Sequence, residues 1–279
     1  MSYSEKLRCA VTEAESCLCV GLDPHPELLP PSLHSTTDSP AERAGFFLKR
    51  VIELTAPHCA AFKPNLAFFE SMGRRGLDIL GEVIEAIPPG KIVIADAKRG
   101  DIGSTAAHYA KAWFEQFAVD ALTVSPLLGF ETLEPFAGYP EKALYVLTLT
   151  SNPGADDFFA RPFAGEETMA AYIAGELARR QDAGGTALGM VLGATRPRDL
   201  RALLSAHPTA PLLLPGVGSQ GGSISDLVEV LAGHRGIPLV SSSRSILFAG
   251  GKEENWEESV AAAAQSYREQ LQPITASYV

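Results

Sequence analysis

The sequence predicts an α/β protein built as one (β/α)8 barrel, and three observations lead there. Eight short apolar runs recur along 279 residues, a mean repeat of about 35. Nearly all of them are apolar at consecutive positions instead of alternating, the pattern of strands covered on both faces in a parallel sheet. Between them lie segments with apolar residues at helical spacing and charges in the gaps. No interdomain linker or low-complexity stretch interrupts the pattern, so residues 1–279 are expected to form a single domain.

In chain order, Cys17 to Leu22 predicts the first strand, and Pro30 to Pro40 a surface loop before a helix over Ala41 to Leu54. Cys59 to Phe62 predicts the second strand, followed by one long helix over Leu66 to Ile87. Ile92 to Ala95 and a helix over Ser104 to Phe117 come next, then Ala121 to Ser125 with a shorter helix over Phe130 to Phe136. Ala143 to Leu149 is the fifth strand; the Gly-, Pro- and Asp-rich Ser151 to Gly165 makes a second loop before a helix over Glu166 to Ala183. The last three strands, Ala187 to Leu192, Pro211 to Pro215 and Pro238 to Ser242, alternate with helices over Arg198 to Ser205, Ile224 to Leu231 and Glu254 to Leu271.

Composition removes whole classes of function. With 33 acidic against 23 basic residues the formal charge is −10, and no Lys/Arg cluster stands out, which argues against nucleic acid or an anionic membrane as partner. Any anionic ligand must be held locally. Cys9, Cys17, Cys19 and Cys59 show no paired CxxC spacing, so they read as buried thiols of a reducing compartment and not as a zinc site or disulfide framework. Charges scattered through the first 20 residues leave no apolar leader segment, and no run of about 18 apolar residues occurs, so a soluble cytoplasmic protein is expected.

In a barrel of this kind the site sits where strands end and βα loops begin, so the polar residues at those points carry the chemistry. The strand ends lead into Asp23, Lys63, Asp96 with Lys98, Ser151 with Asn152, the run Pro215-Gly-Val-Gly-Ser-Gln220-Gly-Gly222, and Ser243 with Arg244. Strand alternation places Asp96 and Lys98, two apart, on one side as a charged pair. A lysine flanked by Asp96 and Asp101 has its ammonium favoured, which suits an acid or electrostatic stabiliser and opposes imine chemistry. Blander readings stand beside these: an ion bridge for Asp96 and Lys98, a helix cap for Asp101, a rim lysine for Lys63, a turn residue for Asp23. The glycine-rich run with Gln220 and Arg244 has the makings of a phosphate site after the last two strands; the blander reading is a flexible loop. His25, His34, His58, His108, His207 and His234 lack ligand spacing, and no GxSxG elbow occurs.

Taken together, Val20-Gly-Leu-Asp23-Pro24, Phe62-Lys63-Pro64-Asn65, Asp96-Ala-Lys98-Arg-Gly-Asp101-Ile102-Gly-Ser-Thr105, Thr150-Ser151-Asn152-Pro153-Gly154, the Pro215 to Gly222 run and Ser243-Arg244-Ser245 resemble the orotidine 5′-phosphate decarboxylases in their longer bacterial form. The resemblance implies decarboxylation of orotidine 5′-phosphate to UMP and CO2, the last step of pyrimidine nucleotide synthesis, with no metal and no cofactor. It implies a charged array of Lys63, Asp96, Lys98 and Asp101 with Lys98 as proton donor and Asp96 facing the substrate carboxylate. Asp23 and Lys63 would bind the ribose, Ser151 the pyrimidine, and Gln220 and Arg244 the phosphate, with Pro215 and Ser243 beside them in the substrate site. Asp101, Ile102 and Thr105 would enter from the second subunit of a homodimer. Ser243 departs from the glycine that many relatives carry there.

Two alternatives remain open. Metal-dependent relatives such as keto-gulonate phosphate decarboxylases or hexulose phosphate synthases share the Asp-x-Lys-x-x-Asp element, but they need a carboxylate at the end of the second strand, where Lys63 would repel Mg2+. A catalytically silent phosphate-binding barrel could keep Gln220 and Arg244, with no reason to keep two lysines and two aspartates at the mouth.

Overall fold

In the computed structural model, which describes the chain except residues 36, 38, 166, 182–183, 218–221 and 252–254, the barrel closes. Eight parallel strands, β1 (Leu18–Leu22), β2 (Ala61–Pro64), β3 (Ile92–Arg99), β4 (Ala121–Val124), β5 (Ala143–Leu149), β8 (Ala187–Leu192), β9 (Leu212–Pro215) and β10 (Pro238–Ser242), follow one another around the ring, and β10 pairs back onto β1. The remaining two strands, β6 (Pro162–Ala164) and β7 (Glu167–Thr168), make a small antiparallel hairpin outside it. All five residues of β1 and all six of β8 are buried, as expected for strands covered on both faces.

The helical layer departs from expectation in five places. An unexpected helix, α1 (Tyr3–Ala14), precedes the barrel; its signal was Ser2 with Glu5, which close a capping box at the helix start. After α2 (Pro40–Thr55), the long helix expected over Leu66 to Ile87 is two, α3 (Leu66–Glu70) and α4 (Gly73–Glu85). Gly73 breaks it by taking a left-handed backbone, φ +69°, which turns the chain between them. Following α5 (Gly103–Lys111), the chain widens into a π turn, Ala112–Gln116, that buries the adjacent Trp113 and Phe114 together. Phe130–Phe136 is a 3-10 helix interrupted by Pro135. The helix expected from Glu166 starts only at α6 (Met169–Arg180), because β6 and β7 take up the preceding residues and Thr168 caps it.

The later helices are α7 (Pro197–Ala206), α8 (Ile224–Leu231), the short α9 (Arg244–Leu247), α10 (Trp256–Gln270) and α11 (Gln272–Thr275). Within the loop expected over Pro30 to Pro40 lies a 3-10 turn, Pro31–Ser35. The cysteines are all free thiols; Cys17, Cys19 and Cys59 are buried as expected, but Cys9 is exposed on α1. Among the described residues no helix is long and apolar enough to cross a membrane.

Helix α1 closes the N-terminal end of the barrel. The Tyr3 and Tyr145 hydroxyls share a buried hydrogen bond of 2.8 Å, and Lys6 Nζ reaches Asp120 Oδ1 at 3.2 Å. The charged strand-end residues therefore gather at the opposite end, where the chain leaves the strands.

Candidate active site

Register decides which strand-end side chains meet. Phe62 pairs with Val93, so Lys63 and Asp96 lie on one face of neighbouring strands, and Gly21 pairs with Lys63, so Asp23 shares that face too. Lys63 Nζ donates to Asp96 Oδ2 at 2.7 Å, and Lys98 Nζ to Asp96 Oδ1 at 2.5 Å. One carboxylate thus bridges two ammonium groups. Asp96 and Lys63 are nearly buried, with side-chain exposures of 11% and 8%, whereas Lys98 is 52% exposed at the mouth.

These charges hold one another in place. Burial works to raise the Asp96 carboxyl, but Lys63 and Lys98 outweigh it and keep the group well below the ordinary carboxylate range. Burial likewise works to lower the Lys63 ammonium, and the carboxylates of Asp96 and Asp23 overcome it, leaving Lys63 above its ordinary value. Both groups are charged at neutral pH.

The pairing of Asp96 with Lys98 is present, but plain strand alternation does not produce it. Ala95 pairs with Leu122 and Arg99 with Val124, so four steps along β3 match two along β4, a wide bulge. Within it Lys98 adopts a left-handed backbone, φ +47°, rare for a residue with a Cβ. Thr123 on β4 supports this bulge and was missed from the sequence. Its hydroxyl accepts from the Ala97 and Lys98 amides at 3.0 and 2.9 Å and donates to Asp96 Oδ1 at 3.1 Å. Only its place in Ala121 to Ser125, one strand over from Asp96, could have flagged it.

Asp101 lies just past the bulge, with Oδ1 accepting from the Ile102 amide at 2.8 Å. Ile102 and Thr105 are exposed, and Ile102 precedes α5 without a side-chain cap. Across the mouth, Asp23 Oδ1 is buried with no hydrogen-bond partner among the described residues, as is Ser243 Oγ. Gly21 permits the approach of Ser243, since a Cβ there would come within 2.7 Å of the Ser243 Cβ.

Arg244 opens α9 exposed, its guanidinium without a hydrogen-bond or ion-pair partner among the described residues. Its neighbour Ser245 anchors the turn by bonding Ser242 and Tyr267, both at 2.8 Å. Pro215 ends β9 and its carbonyl accepts from Ala194 at 2.9 Å, while the following loop is pinned where Gly222 donates to the Gly216 carbonyl at 3.0 Å. Gln220 lies outside the described residues. Ser151, half-buried beyond β5, offers its carbonyl to Thr195 at 3.4 Å. The register thus assembles Lys63, Asp96 and Lys98 into contact, with Asp23 on the same face; Ser151, Pro215, Ser243 and Arg244 stand at the same end of other strands.

Comparison with known proteins agrees over nearly the whole chain. The family model described as orotidine 5′-phosphate decarboxylase / HUMPS family matches residues 16–259. An orotidine 5′-phosphate decarboxylase of Dehalococcoides mccartyi (strain CBDB1) is 37% identical over 274 residues, covering 97% of each chain. One from Thermomicrobium roseum is 40% identical over 278 residues, 98% of this chain and 96% of the relative. The solved OMP decarboxylase of Leishmania donovani superimposes with a TM-score of 0.77 at 32% identity, over 96% of this chain and 99% of that one. By sequence, by barrel and by the charges at its mouth, the chain belongs to the orotidine 5′-phosphate decarboxylase / HUMPS family.

Proposed function

We propose that the protein decarboxylates orotidine 5′-phosphate to UMP in pyrimidine biosynthesis, and that Lys98 is the proton donor. The observation that carries this reading is the Asp96 carboxylate bridged between Lys63 and Lys98. Cleavage of the bond from C6 to the carboxylate releases CO2 and leaves the electron pair at C6, in the plane of the pyrimidine. The Lys98 ammonium stabilises that charge as it forms and then transfers its proton to C6, after which solvent returns a proton to the amine. Lys63 neutralises Asp96 from its buried side and keeps the array charged. Asp96, held ionised, faces the substrate carboxylate and disfavours it before the bond breaks.

Orphaned polar atoms supply the binding side of the reading. Asp23 Oδ1, with Lys63, takes the ribose hydroxyls; Ser151 takes the pyrimidine; Arg244, with Gln220, Pro215 and Ser243 around it, takes the phosphate. Exposed Ile102, Leu127 and Leu128, on the loops after β3 and β4, support a homodimer in which Asp101, Ile102 and Thr105 complete the partner's site. The free thiols and the biosynthetic role of the relatives support a cytoplasmic protein, and the continuous barrel supports one domain over residues 1–279.

The test is a spectrophotometric assay of purified protein with orotidine 5′-phosphate, run with and without exhaustive chelation. Turnover that survives chelation is expected, because the Lys63 ammonium occupies the place where a metal-dependent relative needs a carboxylate. Loss restored by Mg2+ would move the assignment to that branch of the family. Tight UMP binding with no turnover would leave a silent binding barrel.

A further inference from the structure

We infer that Thr123 is a positioning residue for the reaction: its hydroxyl sets both the Asp96 carboxylate and the backbone from which Lys98 projects. The inference rests on the reading that Asp96 and Lys98 act on the substrate. Thr123 is buried on β4, with 1% exposure, and its hydroxyl is fully engaged within the protein, leaving nothing free for a substrate. What it does is local. A hydroxyl has one proton to donate and two lone pairs to fill, and all three are used here. The amides of Ala97 and Lys98 converge on the oxygen, and the proton goes to Asp96 Oδ1, the oxygen that also receives the Lys98 ammonium.

The two adjacent amides matter because of the bulge. In a regular ladder the amides of β3 would alternate sides, those facing β4 meeting its backbone carbonyls. The two extra steps of β3 withdraw Ala97 and Lys98 from that ladder, and the left-handed turn at Lys98 points both N–H groups the same way. Without an acceptor they would be unsatisfied inside the barrel wall, and Lys98 would relax toward an ordinary backbone. Pairing resumes immediately afterwards, where the Ser125 amide donates to the Arg99 carbonyl at 2.7 Å. The Thr123 oxygen is therefore the pivot about which β3 re-aims the Lys98 side chain back over Asp96.

Removing the hydroxyl while keeping the shape isolates this role. Thr123→Val is expected to lower kcat by about 100-fold, the cost of a misplaced reacting group, while KM and UMP affinity stay within about threefold. Thr123→Ser keeps the hydroxyl and should hold kcat within about threefold of the parent. In a crystal structure of Thr123→Val, Lys98 should leave its positive φ and its ion pair with Asp96.

A kcat for Thr123→Val within threefold of the parent, or an equal loss for Thr123→Ser and Thr123→Val, would overturn the inference. Should Thr123→Val not fold, Thr123→Ser and Thr123→Ala decide by the same criterion, with serine retaining and alanine losing turnover. Lys98→Ala separates the two levels. If it keeps parental turnover, the reading of the charged array fails; if it loses turnover while Thr123→Val does not, only the role of Thr123 fails.

Discussion

The two ends of the barrel handle polar groups in opposite ways. At the floor, protein answers protein: Tyr3 bonds Tyr145, Lys6 bonds Asp120, Thr275 takes the Cys17 amide, and the His207 and His234 rings bond the carbonyls of Leu188 and Ala210. At the mouth, among the described residues, Asp23 Oδ1 and Ser243 Oγ are buried without partners and the exposed Arg244 guanidinium is unpaired, while Lys98 holds a left-handed backbone. Both ends have the same strands and the same buried core. The difference is that a fold is stabilised by satisfying its polar groups, whereas a site keeps some unsatisfied for a ligand and holds others in strained positions. The floor has exceptions of its own, since Nδ1 of His58 and of His234 find no partner among the described residues.

The sharpest way to break this comparison is to remove the mouth's exposed ammonium. Lys98→Ala should lower kcat by at least about 1,000-fold and leave UMP affinity nearly unchanged, because in the proposed mechanism its charge acts only as electron density develops at C6. Isothermal titration beside steady-state kinetics checks it, and an equal loss of UMP binding would make Lys98 a binding residue. The next effect concerns completeness of the mouth in one chain. If Asp101 serves the partner's Lys98, mixing equal amounts of inactive Lys98→Ala and Asp101→Ala dimers should restore roughly a quarter of parental activity through heterodimers with one intact site. No recovery after verified subunit exchange would leave Asp101 in its own chain's site.

A smaller effect is expected at Arg244, the proposed phosphate ligand. Arg244→Ala should cost at least ~10-fold in kcat/KM on orotidine 5′-phosphate, since a charge-assisted contact contributes ~1.5–3 kcal/mol. The residual rate on orotidine, which lacks the phosphate, should hardly move; an equal loss on both substrates would mean Arg244 supports the mouth structurally.

The smallest effect belongs to the floor. Burial pushes the His207 and His234 imidazoles below their ordinary value of 6.5, despite the carbonyls that favour their charged forms. The unfolded chain therefore takes up protons near pH 6.5 that the folded chain refuses, so stability is full above that pH and falls as pH drops through it. Asp96, depressed by its lysines, adds a second loss only below its ordinary value of 3.8, and Lys63, raised by its carboxylates, a third only above 10.5. A fall of about 2–4 °C in Tm between pH 7.5 and 5.5 is expected, and His207→Gln with His234→Gln should reduce it, leaving the part due to His58, which burial also lowers. An unchanged slope in that double variant would locate the acid sensitivity elsewhere.

Much of this molecule was legible as sequence, because its strongest signals are local. Consecutive apolar runs mark strands buried on both faces wherever they end up, and the spacing of eight such runs leaves a closed parallel barrel as their natural arrangement. Asp23, Lys63, Asp96 and Lys98 could be chosen because a barrel places chemistry at strand ends, and that rule needs only the order of strands and loops. Local chemistry that was present but unread, the Ser2 and Glu5 capping box and Gly73, accounts for the missed α1 and the split between α3 and α4.

Tertiary structure alone decided how those residues meet. Alternation placed Asp96 and Lys98 together for a reason that does not hold in the bulge, where their ion pair depends on a register shift against β4 and on one hydroxyl of a neighbouring strand. Register is a relation between segments distant in sequence, so nothing near Asp96 announces Thr123, and nothing near Gly21 announces that Ser243 packs against it. Sequence by itself determined which residues would stand at the mouth; pairing between strands decided which of them touch, which stay unpartnered, and which way Lys98 points, because those depend on distances that no single segment contains.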